Sequence, residues 1–489
     1  MKKPVLKTPL FIKQGYRKAS GSINSGVATL DKQTKKFIGR RLCIGVTGLS
    51  QSGKSTFITS LINQLSNYEK ASLPGFSPAL SGRLLGVTVH PLEDKDLKPF
   101  PYELAYQGLT SNPPLWPPST EDLSGCLLEL RLSQSTSKLN PFSHDRYSLF
   151  LEIRDYPGEW LLDLPLRDME YSRWCAQCNA QYTHEPRKGL LGNLLNELQQ
   201  LDPLAEVDER FLEAITARFK KFLNDCKYND KSLSLIQPGR FLIPGDIKDP
   251  DILCFIPLLK CSSYTEGQLA AANDNSYFKV CEKRYNSYIN DLVNPFYSNF
   301  FKKVDRQIVL VDLVNTLNSG PEYVDDMRQA LTNITDSFSF GHQNRLTQMV
   351  RSKIDKVIFA ATKIDQVVSE DHESVRNLLA LVVRQAYSNA QHQGVEPLCE
   401  ATAAVRSSKE IDKGTDKGVS GIGLDGKPVG YVHPSIPSRL PEGDQWDKFL
   451  DWDSPALSPP HGLSHKNHDV LPHIRIDTIL NSLIGDKCK

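Results

Sequence analysis

The run Gly48-Leu49-Ser50-Gln51-Ser52-Gly53-Lys54-Ser55 has the spacing G-x-x-x-x-G-K-[ST]. These residue types suit one task, holding the phosphates of a nucleoside triphosphate together with Mg2+. Gly48 and Gly53 let the backbone curl until successive N–H groups point inward at phosphate oxygens. Lys54 neutralises the β- and γ-phosphates, and the Ser55 hydroxyl ligates the metal. Gln51, Ser52 and Thr56 belong to the same expected contact set. The motif needs a strand running in and a helix running out, because the helix N-terminus adds partial positive charge. Both are expected here. Residues 42–47 are apolar, and Ile58, Leu61, Ile62 and Leu65 recur at i, i+3, i+4 and i+7.

Two further motifs follow apolar runs. Asp155-Tyr156-Pro157-Gly158 comes after residues 149–153. An acid at a strand end beside a phosphate loop can hold Mg2+, directly or through water. Gly158 can bring a bare N–H to the γ-phosphate. D-x-x-G alone is common by chance; its weight comes from following a strand downstream of a phosphate loop. Thr362-Lys363-Ile364-Asp365 comes after residues 357–361. A carboxylate at Asp365 accepts hydrogens from guanine N1 and N2. Adenine presents an acceptor at that edge and would leave the acid unpaired. The aliphatic stem of Lys363 can cover the base plane. The plain alternative is a solvated turn after a strand. The expected ligands are GTP or GDP with Mg2+.

The elements that must position these groups are legible as apolar runs. Residues 42–47, 127–132, 149–153, 307–313, 357–361 and 398–403 read as buried strands. Helical patterns separate most of them: residues 321–338 have helical composition, and Val375, Leu378, Leu379, Val382 and Val383 mark another helix. Alternation of this kind predicts an α/β fold with a mostly parallel sheet. The connection 133–147 leaves no room for a helix, so its two strands form an antiparallel pair, giving one antiparallel edge strand. Residues 160–302 break the alternation. Phe211, Leu212, Ile215, Phe219, Phe222 and Leu223 mark one amphipathic helix there, and Tyr277, Cys281, Tyr285, Tyr288 and Leu292 another. This aromatic stripe reads as core packing in a large, mostly helical inserted domain. The chain thus divides into a basic N-terminal arm (1–40), a first part of the α/β domain (41–159), the helical insert (160–302), and a second part with a C-terminal extension (303–489). Residues 66–120 read as an irregular, Pro-containing insertion, Leu424-Asp425-Gly426-Lys427 as a tight hairpin, and residues 474–485 as a closing helix.

With 489 residues, more than one structural unit is expected. The 58 basic and 57 acidic residues nearly cancel, so overall charge names no partner and no specific nucleic acid is expected. The arm is different, with eleven Lys and Arg residues from Lys2 to Arg41 against the single acid Asp31. It reads either as a solvated terminus or as a contact with anionic membrane, and Phe11, Tyr16 and Phe37 keep the second reading open. No apolar run approaches the ~18 residues of a membrane span, and Lys7 and Lys13 break the N-terminal apolar stretch. A cytoplasmic protein is expected, with peripheral contact at the inner face of the membrane as the variant reading. Cys175 and Cys178 are the one C-x-x-C pair among ten scattered cysteines, and read as small core residues rather than a zinc site. His461, His465, His468 and His473 sit among loop residues and are not expected to be ligands.

The motifs together resemble those of the Ras-like, translation-factor class of GTPases, whose guanine motif is N/T-K-x-D; Thr362 supplies the Thr form. The resemblance implies a Ras-like sheet and backbone contact with the base after the last strand, at Ala403-Ala404-Val405, a loose match. It also implies a Thr offered to Mg2+ before the antiparallel strand. Thr120 in Trp116-Pro117-Pro118-Ser119-Thr120 is the candidate, with Ser119 as fallback, and Trp116 either covers the nucleotide or packs. More closely, the chain resembles the YcjX-like family of bacterial P-loop proteins. The resemblance is carried by residues 45–55, 116–120 and 154–160, by Arg306-Gln307-Ile308-Val309-Leu310-Val311-Asp312, and by Pro472-His473-Ile474-Arg475-Ile476-Asp477. It implies a stress-associated GTPase, with the helical insert as part of the pattern and a protein partner not named.

One residue departs from the wider class. Many GTPases place Gln after D-x-x-G to orient the attacking water, and here stands Glu159. Near a γ-phosphate this carboxylate would be repelled unless protonated or turned away. No Arg lies just before Thr120. Hydrolysis by the set Lys54, Thr120, Asp155, Gly158 and Glu159 is therefore expected to be slow, or to need a residue from the insert or a partner. A switch driven by GTP is the leading expectation. A P-loop ATPase or kinase, which needs no base-reading Asp, and a nucleotide-binding scaffold without turnover are the alternatives.

Overall fold

The structure is a computed structural model describing residues 41–49, 51–119, 121–133, 146–229, 231–245, 247, 249–339, 354–412, 417–450, 452 and 455–488. The basic arm, Ser50 and Thr120 lie outside the described residues. Each apolar run forms a strand: β1 is Arg41–Gly48, β4 Ser124–Ser133, β5 Arg146–Asp155, β6 Arg306–Val311, β7 Lys356–Ala361 and β8 Glu396–Ala401. Two more strands, β2 (Leu84–His90) and the two-residue β3 (Lys98–Pro99), complete the central sheet. Its order is β2-β4-β5-β1-β6-β7-β8, with β3 beside β4. From β5 to β8 all neighbours are parallel, while β4 runs against β5, pairing Ser124 with Asp155 and Ser133 with Arg146. β2 lies outside β4 and antiparallel to it, with a register shift between Leu84 and Gly86.

That edge strand is a difference from the irregular insertion expected at 66–120. Gly86 interrupts the apolar run, and the outer face leaves Leu85 and Val89 exposed. An edge strand needs only one buried face, so its composition is weaker than that of a central strand. The same stretch holds helix α2 (Tyr102–Leu109); α1 (Lys54–Ser66) follows the loop after β1.

Alternation along the strands divides the interior into two cores. Leu42, Ile44 and Val46 of β1, Ile308 and Leu310 of β6, and Ile358 and Ala360 of β7 face one way. They pack against Phe57, Ile58, Leu61 and Leu65 of α1 and against Ile476, Ile479, Leu480 and Leu483 of the closing helix α11 (Ile476–Ile484). Cys43, Val309, Val311, Val357, Phe359 and Ala361 face the other way. Covered faces on both sides explain why these strands read as continuous apolar runs. The second face carries α7 (Leu313–Ser319), α8 (Pro321–Asp336), α9 (His372–Val382) and α10 (Arg384–His392).

The same apolar cluster continues into residues 160–302, which are mostly helical. They include α4 (Tyr171–Tyr182), α5 (Glu209–Tyr228) and α6 (Tyr277–Tyr288), reached through the short α3 (Gly158–Leu162). Asp208 caps α5 by accepting from the Arg210 and Phe211 N–H groups, and Ser276 caps α6. Trp174, Phe255, Tyr285 and Tyr288 are buried, with ring centroids 5.5 to 5.8 Å apart for Trp174–Tyr285, Phe255–Tyr285 and Phe255–Tyr288. Such edge and offset geometry is that of core packing. Cys175 and Cys178 are buried on α4. A small antiparallel sheet, β9 (Lys409–Asp412), β10 (Lys417–Ile422) and β11 (Pro428–Val432), contains the expected hairpin. Gly423 N–H donates to Lys427 O across it, and Gly426 takes φ 78°. Among the described residues no helix is long and apolar enough to cross a membrane.

Candidate nucleotide-binding site

Parallel strands bring their carboxyl ends to one edge, and ligands of such sheets sit where the strand order reverses. Here that point is β1, flanked by β5 and β6. The loop after β1 is tight: a Cβ at Gly48 would meet Ser52 Oγ at 1.9 Å. Gln51 and Gly53 take φ 58° and 77°, the left-handed region. Gly53 tolerates this freely; at Gln51 it costs strain, of a kind typical of ligand loops. The curl delivers Lys54 and Ser55 at the start of α1.

Around this loop lies a cavity of about 740 Å3. It brings together almost every residue singled out from sequence. Gly48, Gln51, Ser52, Gly53, Lys54, Ser55 and Thr56 form one wall; Trp116 and Ser119, Gly158 and Glu159, and Lys363, Asp365, Ala403, Ala404 and Val405 form the others. Asp155 is buried beneath, with its Oδ1 2.9 Å from Lys54 Nζ. Lys54 also donates to the Tyr156 carbonyl. The Ser55 hydroxyl donates to Pro118 O at 3.1 Å, so the 116–119 strap crosses directly over it. Trp116 Nε1 donates to Leu457 O at 2.8 Å, which ties that strap to the C-terminal extension. Gly158 is wedged against the loop after β1, where a Cβ would meet Gly48 O at 2.2 Å.

No group of three or more His, Cys, Asp or Glu side chains among the described residues could hold a metal unaided. The Ser55 hydroxyl, next in the chain to Lys54, and the Asp155 carboxylate, which pairs with Lys54, are oxygen donors that suit a hard cation only if phosphate oxygens complete the set.

At the other end, Asp365 is 5% exposed. Its Oδ2 accepts from both the backbone N–H and the hydroxyl of Ser407, each at 2.8 Å. Burial pushes its carboxyl above its ordinary value, and the Ser407 contacts oppose that. Lys363 takes φ 57° and pairs with Asp312 at 2.6 Å, which anchors its head and lays its stem along the cavity. Ala403 is fixed by mutual backbone hydrogen bonds with Ile474.

Glu159 is neither turned out to solvent nor alone. Its Oε1 lies 2.6 Å from Nζ of Lys227, in the last turn of α5, and both side chains are about nine-tenths buried. Burial pulls the Lys227 ammonium down, but Glu159 and Tyr228 beside it together more than offset that, leaving its pKa above the ordinary value. The repulsion expected at Glu159 is thus met by a cation from residues 160–302. Arg240, from the same region, instead stacks its guanidinium 3.4 Å from the Trp160 ring centre.

Sequence reasoning missed Lys227, Ser407 and the lining segment 242–245. A Ser pair just past the 403–405 turn was the available hint for Ser407; Lys227 leaves no local signal.

Comparison with known proteins agrees with this architecture. The family model described as "YcjX-like family, DUF463" matches residues 42–488. A protein named "Ras-like GTPase YcjX" from Escherichia coli (strain K12) is 36% identical over 485 residues, covering 94% of this chain and 98% of its own length. A second of that name, from Shewanella oneidensis (strain MR-1), is 34% identical over 462 residues, covering 92% and 95%. With a Ras-like sheet order and a match spanning nearly all of the described residues, the chain belongs to the YcjX-like family.

Proposed function

We propose that this protein binds GTP with Mg2+ and hydrolyses it, using the γ-phosphate to order the loops around the cavity as a conformational switch. The observation that carries the reading is Asp365, a buried carboxylate braced by Ser407 in the same cavity as the phosphate loop. Guanine offers that carboxylate two donors; adenine would bury it against an acceptor. The name "Ras-like GTPase" borne by two relatives supports the same reading. Ser55 and Asp155 are the described residues that would hold Mg2+, with Thr120 as the further candidate. When bound, the metal would neutralise charge between the β- and γ-phosphates. Lys54, the loop N–H groups and Gly158 would cradle the phosphates. Trp116, Ala403, Ala404 and Val405 would enclose the rest of the nucleotide, with the stem of Lys363 against the base.

Residues 160–302 would be the element whose pose the nucleotide biases. A slow intrinsic rate, a stimulating protein partner, a stress-related role, and a cytoplasmic location with the arm at the membrane's inner face belong to the proposal too. They rest on the resemblance and the charge pattern.

The direct test is the identity of the nucleotide that co-purifies, read by mass, followed by the Asp365→Asn variant. That change should weaken GTP binding by about 100-fold or more and shift preference toward xanthosine nucleotides, since buried hydrogen bonds to charge contribute about 1.5–3 kcal/mol each. Unchanged GTP binding would exclude the guanine assignment. Phosphate release by wild type but not by Lys54→Ala separates turnover from a binding scaffold.

A further inference from the structure

Glu159 stands beside Gly158 on the cavity wall, where an unneutralised carboxylate would oppose a γ-phosphate. Its partner Lys227 is held in place from two sides. Ser232 Oγ donates to the Lys227 carbonyl at 2.8 Å and accepts from Gln51 Nε2 of the phosphate loop at 3.3 Å. The Tyr228 ring lies 4.9 Å from the Lys227 ammonium. Glu159 is held equally firmly: its carbonyl is so close to Gly239 that a Cβ there would meet it at 2.2 Å. The other basic side chains lining the cavity have different duties. Lys98 pairs with Asp122, Lys363 with Asp312, and Lys54 with Asp155.

We propose that Lys227 is the positioning residue through which the helical region enables hydrolysis: it neutralises Glu159 and fixes its carboxylate as the acceptor that orients the attacking water. This rests on the guanine-nucleotide reading above. Lys227 engages Oε1, and a carboxylate has a second oxygen with which to accept a water hydrogen. In the reaction the water oxygen bonds to the γ-phosphorus, and the bond to the β–γ bridging oxygen breaks with its electron pair staying on GDP. One water proton remains on the released phosphate and the other passes to solvent. Glu159 holds the water in line and is unchanged at the end. The pair therefore does in two residues what a single neutral Gln does elsewhere: it accepts from water without adding net charge beside the phosphate.

The test uses the full chain, with single-turnover hydrolysis of GTP and separate affinities for GDP and a non-hydrolysable GTP analogue. Lys227→Met should weaken the analogue on the order of 100-fold, because a buried carboxylate loses its partner. GDP, which presents no γ-phosphate to Glu159, should keep its affinity. Lys227→Arg should retain binding and most of the turnover. Glu159→Ala should lower single-turnover hydrolysis well below wild type without weakening the analogue. The double variant Lys227→Met with Glu159→Ala should regain analogue binding while hydrolysis stays lost. Equal loss of GDP and analogue, or no recovery in the double variant, would assign Lys227 a purely structural role and overturn the proposal; so would wild-type turnover in Lys227→Met. If Lys227→Met does not fold, the Arg and Glu159→Ala variants decide by the same criteria. Should wild type bind neither GTP nor GDP, the guanine reading falls and this inference with it. Should wild type bind and hydrolyse GTP while the variants match it, this inference alone falls.

Discussion

At the scale of single residues, four charges at the cavity are each matched by a partner. Lys54 meets Asp155, Lys363 meets Asp312, Glu159 meets Lys227, and Asp365 accepts twice from Ser407. Uncompensated burial of any of these groups would be costly, so each partner helps to set the geometry of the group it holds. The Ser407 hydroxyl is the simplest to probe. Ser407→Ala removes one of two hydrogen bonds to the buried Asp365 carboxylate and leaves the backbone donor. GTP affinity should fall roughly tenfold, from the loss of about 1.5 kcal/mol of charge-assisted hydrogen bonding, with little change for nucleotides that do not use Asp365. Isothermal titration with GTP and ATP checks this; equal effects on both would assign Ser407 a general structural role.

Among the elements, α3 is the junction between the loop after β1 and the helical region. Gly158 abuts Gly48 at one end, and Asp163, just past the other end, accepts from the Gly239 and Arg240 N–H groups and from the Tyr288 hydroxyl. Trp160 Nε1 donates to Ile243 O, and Gln237 donates to Leu162 O. A shift at Gly158 would therefore move segment 237–245, itself part of the cavity wall at 242–245. Burial pushes the Asp163 carboxyl up to about 7, against the opposing pull of Tyr288, Gly239 and Arg240. A carboxyl raised on folding adds stability that is fully present below its unfolded pKa and is lost as pH rises through the folded value, here about 7. Melting temperature should accordingly fall between about pH 4 and pH 7, and Asp163→Asn, which cannot ionise, should flatten that slope. An unchanged slope in the variant would show that Asp163 does not titrate in this window.

For the whole molecule, one apolar cluster runs from Cys43 and Val309 of the sheet through Trp160 and Trp174 to Tyr285 and Trp452. The helical region is thus packed into the sheet's own core. Heating should give a single calorimetric transition, raised by GTP with Mg2+ by about 2.7 kcal/mol of stability at a hundredfold excess over Kd. A separate, earlier transition for residues 160–302 would contradict this packing. The cavity is lined from three directions, by the loop after β1, by Lys227 and residues 242–245, and by Leu424 and Leu457 of the C-terminal segment.

What the sequence by itself determined is the chemistry that sits on short, contiguous stretches. Gly48 to Ser55, Asp155 to Gly158 and Thr362 to Asp365 each carry their geometry locally, as a loop at a strand end. Covered faces made the central strands visible as apolar runs, and parallel pairing then required those loops to share one edge. Other features were decided only in the tertiary structure. The edge strand β2 was hidden because a half-exposed strand containing Gly86 lacks a continuous run. Ser407 and Lys227 were hidden for another reason: apolar periodicity reports which face of an element is buried, never what that face meets. The pairing of Glu159 with Lys227 joins residues far apart in the chain, so the sequence displayed the unbalanced charge and only the fold supplied the cation that balances it.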